Sequence, residues 1–291
     1  MWLDRHDLRY TTAGAEAEWS KLQMSEGLVL YRKEEQVAVL TLNRPAKLNA
    51  LSKQLWSELD AAMNEADEAA DVRVIVLVAN GRAFSAGADL APGEDPTQML
   101  PWWQAFERHH KRQFRMWDTN KLMIAGVHGH CLGRGLELAL WCDIVVASED
   151  ASIGQPEVRE GWVVQSMVPW LTGPQQAKLF MLSGDIISAG EAHRLGLVAR
   201  VVPAGEAASA AIALAKRLSH VPPVAAGAVK RMINGVYELQ GIRAQQAEGI
   251  AVGAFTSHLS PAEKGTSELE RIRREQGLKA SLKFRDDPFA K

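Results

Sequence analysis

The run Val72–Ala79 is almost unbroken in β-branched and aliphatic residues, and Asn80-Gly81 ends it. A strand that wets one face alternates apolar with polar residues. One without alternation has to be buried on both faces, the habit of parallel sheets covered by helices. Two more such runs follow. Leu122–Val127 comes after a helical stretch near 97–118, and Ile144–Ala147 after a short one at Gly135–Trp141. Strands alternating with helices predict a layered α/β fold. Upstream, Leu28–Lys33 and Gln36–Leu42 flank Glu34-Glu35 and read as a hairpin. Ser52 reads as an N-cap, with Leu55, Leu59, Met63 and Ala66 at helical spacing behind it.

Ser188-Ala-Gly-Glu191 has the form of a capping box, and Val198–Val202 reads as one more strand. After Pro203 the chain reads as helices, at about 205–218, 222–233, 237–257 and 261–274. The expected organisation is an N-terminal extension over 1–24, an α/β core over 25–204 and a helical region over 205–291.

Lys plus Arg number 33 and Asp plus Glu 35, a net charge of -2. That balance argues against a protein built to hold nucleic acid. The two cysteines, Cys131 and Cys142, read as small buried thiols in a reducing compartment. Without a Cys-x-x-Cys, a zinc or redox pair has no support. The first residues carry no apolar signal segment, and no apolar run reaches the roughly 20 residues that span a bilayer. The expectation is a cytoplasmic protein without membrane partners.

Three segments carry the chemistry. Gly81-Arg-Ala-Phe-Ser-Ala-Gly-Ala-Asp-Leu90 follows a buried strand, and its small residues let a ligand approach the backbone. Gly129-His-Cys-Leu-Gly-Arg-Gly-Leu-Glu-Leu138 leads into a helix, whose first N–H groups are free to donate. Gly154-Gln-Pro-Glu157 puts a carboxylate on a turn. Two backbone donor sites and two carboxylates are what enolate chemistry needs. The donors polarise a thioester carbonyl as charge grows on its oxygen, and the carboxylates move protons at the neighbouring carbons.

Other motifs are set aside. Gly133-Arg-Gly135 lacks the third glycine of a dinucleotide fingerprint, because position 138 is Leu. On a strand His128 and His130 point to opposite faces and make no metal pair. His109-His110 lies in a polar helical stretch and is expected on the surface, while Trp102, Trp103 and Phe106 either line an apolar pocket or, the preferred reading, belong to the core. No Gly-x-Ser-x-Gly elbow occurs.

Taken in order, the segments resemble the enoyl-CoA hydratase/isomerase (crotonase) family. The resemblance runs through Val37–Pro45, Asn49-Ala-Leu51, Phe84–Asp89, Gly133-x-Gly-x-Glu137, Cys142-Asp143, Gly154–Glu157, Leu182–Asp185 and Ala192–Val198, and covers roughly 26–260. It implies a spiral of ββα units with a C-terminal helical part that packs trimers, or hexamers as paired trimers. It implies an oxyanion hole from the N–H groups of Ala88 and Arg134, and acid–base roles for Glu137 and Glu157. Contacts to the CoA ester fall on Ala46, Lys47, Leu48, Ala86, Gly87, Ala88, Asp89 and Leu90, with Gly133, Pro156, Gly161 and Trp162 as further substrate contacts.

With both glutamates kept, the implied reaction is syn hydration of a trans-2-enoyl-CoA, with no metal or redox cofactor. Double-bond isomerisation, dehydration of an unusual acyl-CoA and a non-catalytic RNA- or protein-binding role are the alternatives. The chain departs from the family at Arg134, where glycine is usual, and over Val158–Met167, which replaces a Gly-rich stretch. Trp162 there either floors the acyl pocket or packs on Trp170 or the C-terminal helices.

Overall fold

A computed structural model describes residues 27–89 and 99–290, and so neither the expected extension over 1–24 nor Leu90. The hairpin forms as expected, β1 (Val29–Glu34) antiparallel to β2 (Val37–Leu42). Helix α1 (Lys53–Glu68) follows, and its first turn is capped by the Ser52 hydroxyl accepting from Leu55 N–H. Next come β3 (Val74–Ala79), β4 (Ala83–Ser85), α2 (Met99–Asp118), β5 (Leu122–Val127) and β6 (His130–Leu132). The site is then built by α3 (Arg134–Leu140), β7 (Ile144–Ser148), β8 (Ser152–Gly154) and a 3-10 turn at Pro156–Glu160. The chain continues through α4 (Val168–Leu171), α5 (Pro174–Ser183), β9 (Ile186–Ser188), α6 (Ala189–Arg194) and β10 (Arg200–Val202). It finishes with α7 (Ala207–Leu218), α8 (Pro223–Leu239), α9 (Ile242–His258), α10 (Ser267–Gln276) and α11 (Leu278–Asp286).

The strands form two sheets, ordered β1-β2-β3-β5-β7-β10 and β4-β6-β8-β9. Every neighbour pair is parallel except β1/β2 and β8/β9. Both faces of the larger sheet are buried, which explains its unalternating strands. On β2, Val37 and Val39 face one core with Ala211, Ile212, Leu214 and Ala215 of α7, while Ala38, Leu40 and Leu42 face the other with Leu55 and Leu59 of α1. Cys131 and Cys142 are buried free thiols, as expected.

Several expectations are corrected. The helix expected to end at 233 runs to Leu239, and the break falls at Gln240-Gly241, where Gly241 has φ +94°. Residues 260–266 form a turn rather than the start of a helix, so α10 begins at Ser267, and α11 follows unforeseen. His109 is buried rather than solvated, because α2 turns it toward Trp56, with ring centroids 5.5 Å apart. His128 and His130 do not share a strand: β6 starts at His130, and Gly129 between them has φ +53°. Of the aromatic residues read as core, Phe106 is buried and Trp103 is exposed.

Candidate active site

The smaller sheet brings the three motifs together. β4, β6 and β8 lie side by side, so the segments that leave their C-terminal ends converge. The first is the Ala86–Asp89 loop, held from beneath by polar groups. Asn49 is fully buried; its Nδ2 donates to the carbonyls of Asn80 and Ala83, and its Oδ1 accepts from Arg44 N–H. Ser85 Oγ donates to Asn49 O and accepts from Gly87 N–H. Arg44 pairs with Asp89 at 2.6 Å. The short 3-10 turn Pro45–Lys47 borders the loop. Ala46 and Lys47 are exposed, and Leu48 O accepts from Ala86 N–H at 2.9 Å.

Leu51 bridges to Ala88 in parallel register, donating to Gly87 O and accepting from Asp89 N–H. In that pattern the N–H of Ala88 points the opposite way, away from Leu51. Gly87, at φ +99°, brings the loop against α3: a Cβ there would lie 3.0 Å from Leu132 O and 3.6 Å from Arg134 N. Arg134 opens α3, where the first-turn N–H groups have no intrahelical acceptor. Neither Ala88 N–H nor Arg134 N–H donates to a backbone acceptor among the described residues. The two expected oxyanion donors therefore lie close together, both unengaged.

Both glutamates lie near Arg134, which feels the charge of each. Glu137 is wholly buried one turn into α3. Its Oε1 accepts from Gln155 Nε2 and from Ser166 Oγ at 2.8 Å, and its Oε2 accepts from Met167 N–H at 3.3 Å. Glu157 sits on the 3-10 turn after β8, with its carboxylate directly over Gly133. A Cβ on Gly133 would lie 1.8 Å from Glu157 Oε1. Glu157 Oε2 is buried and accepts no hydrogen bond among the described residues.

Burial pushes the Glu137 carboxyl up to about 8, against the pull of its Ser166, Met167 and Gln155 donors and with the help of Glu157's charge. Burial likewise pushes Glu157 up to about 7. Two carboxyls that feel each other titrate as a pair. Donors favour the charged form, but even with its three donors Glu137 is held above Glu157 and is the stronger proton holder of the two.

The remaining expected contacts frame these groups. Gly133 N–H donates to Gly154 O, and Pro156 begins the Glu157 turn. Gly161 ends it at φ +73°, with Trp162 next. Trp162 does not meet Trp170, which packs on Tyr237. Its ring lies 5.4 Å from that of Trp102, and Lys264 Nζ sits 4.0 Å above it. Sequence reasoning missed the roles of Gln155 and Ser166. It also missed a clamp on the Glu157 turn: Glu160 accepts from Arg273 of α10 at 2.8 Å and from Arg285 of α11 at 2.6 Å. Arg159 bonds Ser183 O, Asp185 and Asp286.

The sequence profile of the enoyl-CoA hydratase/isomerase family matches residues 32–275. This chain belongs to that family. It is 32% identical over 249 residues to a crotonyl-CoA hydratase of Syntrophomonas wolfei, covering 84% of this chain and 95% of the relative. Among solved structures, an enoyl-CoA hydratase/isomerase from Xanthobacter autotrophicus superposes with a TM-score of 0.85 at 31% identity, over 92% of this chain and all of that one. An enoyl-CoA hydratase from Mycobacterium smegmatis gives 0.80 at 26% identity, over 89% and 93%. Among the described residues of this family member, no helix is long and apolar enough to cross a membrane.

Proposed function

We propose that this protein is an enoyl-CoA hydratase, adding water reversibly and syn across a trans-2-enoyl-CoA to give a 3-hydroxyacyl-CoA. One observation carries the reading: two buried carboxyls with opposite hydrogen-bonding environments flank a pair of unengaged backbone N–H groups. With the thioester oxygen on Ala88 N–H and Arg134 N–H, attack at C3 delivers negative charge to that oxygen, where the donors stabilise it. Glu137, ionised and held in place by its three donors, takes the proton from the attacking water. Glu157, in its protonated form, delivers a proton to C2. The Pro45–Lys47 turn and the Ala86–Asp89 loop border the CoA portion. Water addition transfers no electrons, and every step uses a carboxyl or an N–H, so we assign no cofactor. An isomerase needs one carboxyl to carry a proton between carbons, and two buried carboxyls that divide donor and acceptor roles favour water.

The same reading places the protein in the cytoplasm, as a trimer or a pair of trimers. The exposed Val229, Met232, Ile233 and Val236 of α8, at helical spacing, support self-association. Glu137→Gln and Glu157→Gln test the assignment. Each should lower kcat by about 10²–10⁴-fold while CoA-ester binding persists. Full hydration by Glu137→Gln would overturn it.

A further inference from the structure

Arg134 stands where the family usually has glycine, and its side chain has more to do than the backbone role requires. The residue is half-buried, yet its guanidinium has no hydrogen-bond acceptor and no ion pair among the described residues. It extends from the N-terminus of α3 toward α2, with Cζ 5.4 Å from the Phe106 ring centroid. Its charge is felt by His109 on the same face of α2, and the opposite charges nearest it are Glu157 and then Glu137. One turn from Phe106, Trp102 Nε1 is buried without an acceptor, and its ring packs on Trp162. Phe106 itself is fixed by α9, where a Cβ on Gly253 would lie 2.8 Å from its ring.

An apolar wall of Trp102, Phe106 and Trp162 therefore carries two unanswered donors. Trp102 Nε1 is shut away from water without a partner, which is costly, while the half-buried Arg134 guanidinium is left to solvent alone. The Arg134 backbone N–H marks the thioester carbonyl. The CoA portion leaves that point past the 45–48 and 86–89 loops, so what lies against the α2 wall is the acyl chain. A guanidinium is a planar fork of donors that matches a carboxylate in bidentate fashion.

We propose that Arg134 reads a carboxylate on the acyl chain, making the preferred substrates enoyl-CoA monoesters of dicarboxylic acids. The inference deepens the hydratase reading and rests on it for the placement of the acyl chain.

The test compares kcat/KM for 2-hexenedioyl-CoA with that for 2-heptenoyl-CoA, of the same heavy-atom length and without the charge. The wild-type protein should favour the diacid ester by at least about 10-fold, the worth of a hydrogen bond to a charged group. Arg134→Met should bring the ratio near one, and Arg134→Lys should keep part of it. A ratio taken within one enzyme cancels any loss in the shared hydration step. A second arm measures Kd for the saturated adipyl-CoA and heptanoyl-CoA, which no hydratase can turn over. If neutral esters are hydrated with no diacid preference, the inference fails while the hydratase reading stands. If Arg134→Met leaves the ratio intact but shifts the pH profile for both esters, Arg134 serves Glu157 and the inference is likewise overturned. If nothing is hydrated but adipyl-CoA binds tighter in an Arg134-dependent way, the inference stands and the hydratase reading falls.

Discussion

Gly133→Ala tests the geometry of the site with a single methyl group. That carbon would lie 1.8 Å from Glu157 Oε1, and ordinary contact begins at 3.4 Å, so the carboxyl has to retreat by about 1.6 Å. A misplacement of about 1 Å in a catalytic group can cost about 10²-fold, and the whole acid–base contribution is about 10²–10⁴-fold. The expected loss in kcat is therefore about 10²–10³-fold, with KM for crotonyl-CoA little changed. Gly133 also has φ +53° and ψ −123°, a region that costs a residue with a side chain about 1–3 kcal/mol. At roughly 2–4 °C of Tm per kcal/mol, the variant should melt several degrees lower but still fold. To show that the kinetic loss travels through Glu157, Gly133→Ala is repeated in a Glu157→Gln background, where it should cost little more. Near-normal kcat in a folded Gly133→Ala protein would refute the placement of Glu157. Additive losses in the double variant would assign the effect to the α3 donor instead.

Three further predictions follow from the same geometry. Productive protonation needs Glu137 ionised and Glu157 protonated, so kcat/KM should be bell-shaped in pH. With Glu137 held at about 8 and Glu157 at about 7, that form is a minority of the singly protonated pair, and the rate should fall below about 7, where the pair gains a second proton, and above about 8, where it loses its last; a flat profile between pH 5 and 9 would contradict the paired carboxyls. Arg134→Pro removes one N–H donor and should cost about 10²–10³-fold in kcat, checked by steady-state turnover of the folded variant. Arg285→Met leaves Glu160, with its side chain 8% exposed, relying on Arg273 alone. Stripping one partner from a buried pair costs about 3–5 kcal/mol. Because Arg273 remains, the loss should fall at or below the low end of that range, read as a lower Tm and a lower kcat with little change in KM.

Much of this was legible in the chain because it is written locally. The unalternating aliphatic runs became β3, β5 and β7, and the Ser52 cap and the helix after it stand where their pattern puts them. Glu137 and Glu157 could be picked out because each follows a glycine-bearing segment at the end of a strand. The smaller sheet could not be read: its strands are three residues long, too short to show a period. Nor could the clamp on the Glu157 turn, since Arg273 and Arg285 lie 113 and 125 residues from Glu160. His109 looked like surface because it sits among charged residues. Only the packing of α2 against Trp56 shows that it faces inward. Ser166 and Gln155 are ordinary polar residues until the fold aims both at one carboxylate.

The central claim is water addition, and one experiment addresses it directly. The full-length protein is incubated with crotonyl-CoA in ¹⁸O-labelled water, and the product is followed by mass spectrometry. The account predicts a product heavier by one labelled water, with the label in the hydroxyl at C3, formed by the wild-type protein and at least about 10²-fold more slowly by Glu137→Gln. A product of unchanged mass with a displaced double bond, or labelled hydration undiminished in Glu137→Gln, would contradict it.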